Sequence, residues 1–233
     1  NADLVAQLAR DGVETSDDWI VERTGIRARH FVDDGVKTSD LAFQASHRAL
    51  QAAGLQPQDI DLIICATTSP DMIFPSTACL IQHELGIAGC PAFDVQAVCS
   101  GFVYALATAD LYIKSGKVRN ALVIGAEVFS RIMDWSDRST CVLFGDGGGA
   151  VILEPSESDD YGVVDHILRM DGNGEVHLHQ KAGGSLRPPS IETVTNKEHY
   201  VYQEGQAVFK SAVKGMADVS YEIMEKNNVT LLY

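Results

Sequence analysis

The sequence predicts an α/β protein with a largely parallel sheet covered by helices. Two observations carry that expectation. Short apolar runs alternate with stretches of helical period between residues 39 and 126, which is the order of successive βαβ units. The apolar runs are also continuous, as strands buried on both faces require. A chain of 233 residues, 45% hydrophobic and 21% charged, is long enough to bury such a core.

Taken in order, Leu41, Ala42, Ala45, Ala49, Leu50 and Ala53 recur at helical spacing, with Ser39 placed as the cap and Gly54 as the stop. After the turn at Pro57, Asp61–Thr67 reads as a buried strand, and a helix over about 76–85 ends at Gly86. Pro91–Val98 reads as a second buried strand, Ser100–Ser115 as a helix and Ala121–Ala126 as a third strand. At Pro155 the composition turns to Ser156-Glu157-Ser158-Asp159-Asp160, which marks a boundary between residues 1–155 and 156–233. Beyond it, Tyr161–Met170 reads as a strand, and residues 171–199 are rich in Gly, Pro and His. A long helix is expected from about Gln203 to Asn227, because Val208, Phe209, Ala212, Val213, Met216, Val219, Ile223 and Met224 keep helical period. The chain opens on Asn1 and closes on the apolar Leu231-Leu232-Tyr233, so truncation at both ends is expected.

Eighteen Lys and Arg against 32 Asp and Glu give a net charge of −14. Such a surface repels phosphate backbones and anionic lipid, so no nucleic-acid partner is expected. No apolar run approaches the ~20 residues of a membrane span, and no basic-then-apolar leader opens the sequence. A cytoplasmic protein without membrane association is expected.

The five cysteines, at 65, 79, 90, 99 and 141, form no Cys-x-x-Cys pair. Neither a disulfide framework nor a cysteine-rich zinc site fits, and the default reading of each is a small buried hydrophobe. Cys99 differs because the run Phe93-Asp94-Val95-Gln96-Ala97-Val98 delivers it to Ser100-Gly101 and the start of an amphipathic helix. A helix N-terminus favours the thiolate, and small neighbours leave room for a substrate.

Asp94-Val95-Gln96-Ala97-Val98-Cys99-Ser100-Gly101-Phe102 resembles the nucleophile segment of the β-ketoacyl-acyl-carrier-protein synthase III family. Three further segments agree in order. Ser16 to Arg27, Ser-Asp-Asp-Trp-Ile-Val-Glu-Arg-Thr-Gly-Ile-Arg, resembles the family's coenzyme A-binding segment, Phe74-Pro75-Ser76 its dimer-interface loop, and Phe144 to Ala150 its glycine-rich hairpin.

The resemblance implies a thiolase-like fold of five αβαβα layers in two similar halves. The first half, 1–155, would carry the nucleophile, and 156–233 would begin the second. It also implies an acyltransferase that initiates fatty acid synthesis by decarboxylating Claisen condensation. Acetyl or another short acyl group would pass from coenzyme A to Cys99, and malonyl-acyl carrier protein would then lose CO2 and attack the acyl-enzyme. No cofactor or metal is needed, since acyl-coenzyme A is itself a substrate. Trp19 and Arg138 match the pair that sandwiches adenine, a placement suited to cation–π stacking. Arg23 would face the phosphates, Thr15 and Gly205 the pantetheine channel, and Lys210 the acidic carrier protein. Phe74 implies a homodimer.

Glycines 145–149 lack the ending of a phosphate-binding loop and read as structural. His177 and His179 would share one face of a strand, but no third metal ligand is evident. Two family motifs, His-Gln-Ala-Asn and Asn-x-Gly-Asn, which carry the decarboxylating His and Asn, are absent from these residues. Residues 171–200 look longer than usual. Two alternatives follow: a thiolase-fold synthase with another acceptor, of polyketide or quinolone type, and a non-catalytic partner subunit.

Overall fold

The computed structural model describes residues 1–158 and 161–230, so Asp159, Asp160 and the apolar Leu231-Leu232-Tyr233 lie outside the described residues. The chain forms two compact units, each discontinuous in sequence. One comprises 1–29, 130–144 and 165–233, the other 30–129 and 145–164.

The second unit holds the sheet. Its strands are β1 (Leu62–Ala66), β2 (Ala92–Val95), β3 (Ala121–Val128) and β4 (Asp146–Leu153), in the spatial order β2-β1-β3-β4. The first three are parallel and β4 runs antiparallel beside β3. Three helices cover it: α3 (Thr38–Ala53), α4 (Thr77–Glu84) and α5 (Gly101–Lys114). Alternate residues of β1 face opposite layers. Ile63 and Cys65 pack with Leu50, Ile81, Leu122 and Ile124 under α3 and α4, whereas Leu62 and Ile64 pack with Ala105, Ala109 and Val123 under α5. All five β1 residues are buried, which explains the unbroken apolar run. Each fully buried Leu or Ile contributes about 1.5–3 kcal/mol.

Several boundaries differ from the sequence reading. The cap of α3 is Lys37, whose N–H donates to the Asp40 carboxylate at 2.8 Å. Ser39 is buried in the first turn and binds Asp71 through its N–H and hydroxyl, at 2.9 and 2.5 Å. Gly54 does end the helix, in left-handed conformation at φ 69°. The strand expected over Pro91–Val98 stops at Val95 and is only half-buried, because β2 is the sheet edge. Gly147, Gly148 and Gly149 lie within β4, and Gly145 directly precedes it. Gly148 sits where a Cβ would come 3.1 Å from the Leu41 carbonyl oxygen, so its lack of a side chain lets α3 pack against the strand.

The first unit contains α1 (Ala2–Arg10), α2 (Asp17–Thr24), α6 (Arg138–Cys141), α7 (Ile191–Thr195), α8 (Gly205–Lys226) and a hairpin of β5 (Leu178–Gln180) with β6 (Val201–Gln203). Ser16 caps α2 by accepting the Trp19 N–H at 3.1 Å, and Gly25 ends it at φ 72°. Residues 161–170 form no strand. The Asp165 carboxylate is instead held by Lys226 at 2.8 Å and by Asn227 at 3.0 Å, which ties the segment to the end of α8. Residues 171–199 are more ordered than their composition suggests. Arg187 grips both Glu198 oxygens at 2.8 Å, and Ser190 caps α7. The apolar stripe of α8 is real, but Phe209 and Met216 on it are exposed among the described residues.

Candidate active site

Cys99 occupies a 3₁₀ turn, Val98–Ser100, between the end of β2 and the first residue of α5. Two features of this turn are unusual. Cys99 is exposed, and the preceding Val98 has φ 49°, a conformation that costs a β-branched residue on the order of 1–3 kcal/mol. The turn is held from below, where the Thr67 N–H donates to the Val95 carbonyl at 3.3 Å. Gly101 packs so closely on Ala66 that a Cβ there would lie 3.2 Å from the alanine methyl. A thiol at the carboxyl end of parallel strands, ahead of a helix, is open to reagents and fixed in place.

Two other cysteines are the opposite case. Cys65 is fully buried in β1, and burial, with the nearby Asp94, Glu127 and Asp71 carboxylates, pushes its thiol far above the ordinary range. Burial likewise pushes the Cys141 thiol up to about 11. Because the thiolate is the reactive form, iodoacetamide at neutral pH is expected to modify Cys99 ahead of every other cysteine, with Cys65 and Cys141 silent until the protein unfolds. Peptide mapping over a time course checks this, and early labelling at Cys65 or Cys141 would contradict it.

Beside the Cys99 turn, the Glu127 carboxylate gathers the 67–69 turn. It accepts the N–H groups of Thr68 and Ser69, at 2.7 and 3.0 Å, and the Ser69 hydroxyl at 2.5 Å. Burial nevertheless raises its pKa above the ordinary carboxylate value, against these hydrogen bonds. The following Met72-Ile73-Phe74 is an exposed apolar loop, with Phe74 82% accessible.

In the other unit the structure brings Trp19, Arg23 and Arg138 together. The Arg138 guanidinium carbon lies 4.5 Å from the Trp19 ring centroid and that of Arg23 5.3 Å. Arg138 also donates to the Glu14 carbonyl at 2.8 Å. The adjacent Thr15 has a buried hydroxyl oxygen without a hydrogen-bond partner among the described residues. Gly205 opens α8, and Lys210 lies exposed on that helix. His177 is engaged by Glu204 at 2.6 Å, while His179 bonds the Glu175 carbonyl at 2.9 Å and stacks on Tyr202. Among the described residues, no three His, Cys, Asp or Glu side chains cluster as metal ligands would. None of their helices is long and apolar enough to cross a membrane.

Three features of these sites escaped sequence reading. The positive φ of Val98 has no signal in a valine, and the Glu14 contact is made by backbone. The carboxylates of Asp94 and Glu127 did leave a trace, since each interrupts an apolar strand.

A four-stranded mixed sheet covered by helices, with an exposed cysteine at a strand-to-helix turn, is the class of α/β arrangement that the resemblance to the thiolase-like fold leads one to expect. The family model described as 3-oxoacyl-[acyl-carrier-protein (ACP)] synthase III matches residues 93–172, which include Cys99. The β-ketoacyl-[acyl-carrier-protein] synthase III of Koribacter versatilis (strain Ellin345) is 49% identical over 219 residues, covering 94% of this chain and 66% of the relative. The crystal structure of 3-oxoacyl-[acyl-carrier-protein] synthase III from Aquifex aeolicus VF5 superposes with TM-score 0.78 at 43% identity, over 93% of this chain and 65% of that one. The enzyme of the same name from Pseudomonas aeruginosa PAO1 gives TM-score 0.83 at 35% identity, over 97% and 65%. The chain belongs to the 3-oxoacyl-[acyl-carrier-protein] synthase III family, and its fold is the thiolase-like fold expected from the sequence. It spans about two thirds of the length of these relatives.

Proposed function

We propose that the protein to which this chain belongs is the acyltransferase that initiates fatty acid synthesis, joining acetyl or another short acyl group from coenzyme A to malonyl-acyl carrier protein. The single observation that carries the reading is Cys99, exposed on a strained turn at the carboxyl end of the parallel strands. A thiolate there attacks the acyl thioester carbonyl, coenzyme A leaves as its thiolate and takes a proton from water, and the acyl group rests on Cys99 as a new thioester. Loss of CO2 from the malonyl group then leaves its α-carbon with the electron pair that attacks the acyl-Cys99 carbonyl. The Cys99 thiolate departs and the 3-oxoacyl product stays on the carrier protein.

Trp19 and Arg138 bind the adenine in this reading, and Arg23 faces the phosphates. Thr15, whose hydroxyl has no hydrogen-bond partner among the described residues, and Gly205 line the pantetheine path. Lys210 offers a cation to the acidic carrier protein, and the exposed Phe74 loop meets a second copy of the chain in a cytoplasmic homodimer. Residues 1–155 form the nucleophile-bearing thiolase half and 156–233 belong to the second. No cofactor takes part.

The test uses the protein expressed from its complete coding sequence. After acylation by acetyl-coenzyme A, malonyl-acyl carrier protein is expected to be consumed in preference to malonyl-coenzyme A, with a 3-oxoacyl-carrier product seen by mass. Preference for malonyl-coenzyme A would overturn the assignment of acceptor.

A further inference from the structure

The apolar loop Met72-Ile73-Phe74 is 48, 80 and 82% exposed, yet the chain on either side of it is firmly held. Upstream, Glu127 gathers Thr68 and Ser69, the Thr38 hydroxyl donates to the Ser69 carbonyl at 2.5 Å, and Asp71 binds Ser39. Downstream, the chain enters α4, where Ser76 already caps the helix by accepting the Cys79 N–H at 3.2 Å. A carboxylate from a strand of the sheet completes that turn. Asp94, on β2, accepts the N–H groups of Thr77 and Ala78 at 2.7 and 2.8 Å.

A carboxylate on the first turn of a helix satisfies donors that would otherwise be orphaned and is favoured by the helix dipole. Because Asp94 comes from the strand and not from the loop, its bonds also tie α4, and the loop ahead of it, to the strand that leads to Cys99. The thiol turn does not depend on this tie. It has its own anchors in the Thr67 to Val95 hydrogen bond and the packing of Gly101 on Ala66.

We infer that Asp94 is a positioning residue: it locks the Met72–Phe74 loop to the strand that delivers Cys99, and so fixes where that loop reaches into a second copy of the chain. This rests on the dimer reading of Phe74 proposed above. Asparagine at this position keeps the shape and one acceptor, removes the charge, and turns an amide NH2 toward the helix donors.

In the full coding-sequence protein, Asp94→Asn is expected to lower kcat/KM for acyl transfer from acetyl-coenzyme A by about tenfold, the scale of a sub-ångström to ångström misplacement, and to shift the dimer toward monomer. The rate at which iodoacetamide alkylates Cys99, and the pH profile of that rate, should stay unchanged, since the thiol turn keeps its anchors. A merely structural residue would lower alkylation and acyl transfer together.

Unchanged acyl transfer and dimerisation in folded Asp94→Asn would overturn the inference, as would a parallel fall in alkylation. If the variant does not fold, hydrogen exchange on the parent decides. The Thr77 and Ala78 amides should be protected like those of β1, and fast exchange there would overturn the inference. A monomeric parent overturns the dimer reading and this inference with it, whereas a dimeric parent with an unaffected variant overturns only the inference.

Discussion

Replacing Cys99 with alanine is expected to abolish acyl transfer from acetyl-coenzyme A, with a rate loss of at least about 1000-fold, the scale seen when an enzyme's nucleophile is removed. Without the thiol no covalent acyl-enzyme forms at this turn, and the adjacent Ser100 hydroxyl is a far weaker nucleophile at neutral pH. None of the other cysteines is placed to substitute. Cys65 and Cys141 are buried with raised pKa values, and Cys79 and Cys90 lie on α4 and just before β2, away from the strand-to-helix turn. The fold should survive, because Cys99 is exposed and outside both core clusters. Intact-mass spectrometry after incubation with acetyl-coenzyme A checks the result. An acetyl adduct of undiminished yield on Cys99→Ala would refute the assignment of the nucleophile.

Coenzyme A affinity is expected to fall about fivefold in Trp19→Ala and again in Arg138→Ala, each worth on the order of 1 kcal/mol, the usual range for such contacts. The double variant should lose little more than either single one. The two side chains are already in contact, with the guanidinium 4.5 Å from the ring centroid. Adenine between them needs a gap of about 7 Å, two stacking distances of about 3.5 Å, so Arg138 has to move back from the indole as the base enters. Stacking on both faces makes the pair a single clamp, and removing either jaw removes most of the gain. Titration calorimetry on the parent, both single variants and the double variant gives the coupling directly. Fully additive losses would show that the two residues do not share a ligand.

Most of the sheet unit was legible in the sequence because both of its faces are covered. A strand such as Leu62–Ala66, buried on each side, has to be apolar at every position. Its helices announce themselves by period and by Gly54 and Gly86 at their ends, whereas the Ser76 cap of α4 is seen only in the structure. Cys99 was legible for a related reason, since the order strand, thiol, small residues, helix is local. Tyr161–Met170 failed as a strand because apolar content alone cannot supply a hydrogen-bonding neighbour, and Asp165 binds the end of α8 instead. Ser39 failed as the cap because a partner distant in sequence, Asp71, claimed its N–H and hydroxyl.

The sequence by itself determined the alternation of strands and helices, the nucleophile candidate and the membership of a family, since each is written in contiguous residues whose chemistry does not depend on distant partners. Only the tertiary structure decided that β4 turns antiparallel at the sheet edge and that Gly148 is needed for the approach of α3. It alone decided that Arg138 and Arg23 meet Trp19, and that Asp94 and Glu127 hold the two ends of one exposed loop. Each of these is a contact between residues far apart along the chain, and its partner is chosen by where packing brings the backbone rather than by any local pattern.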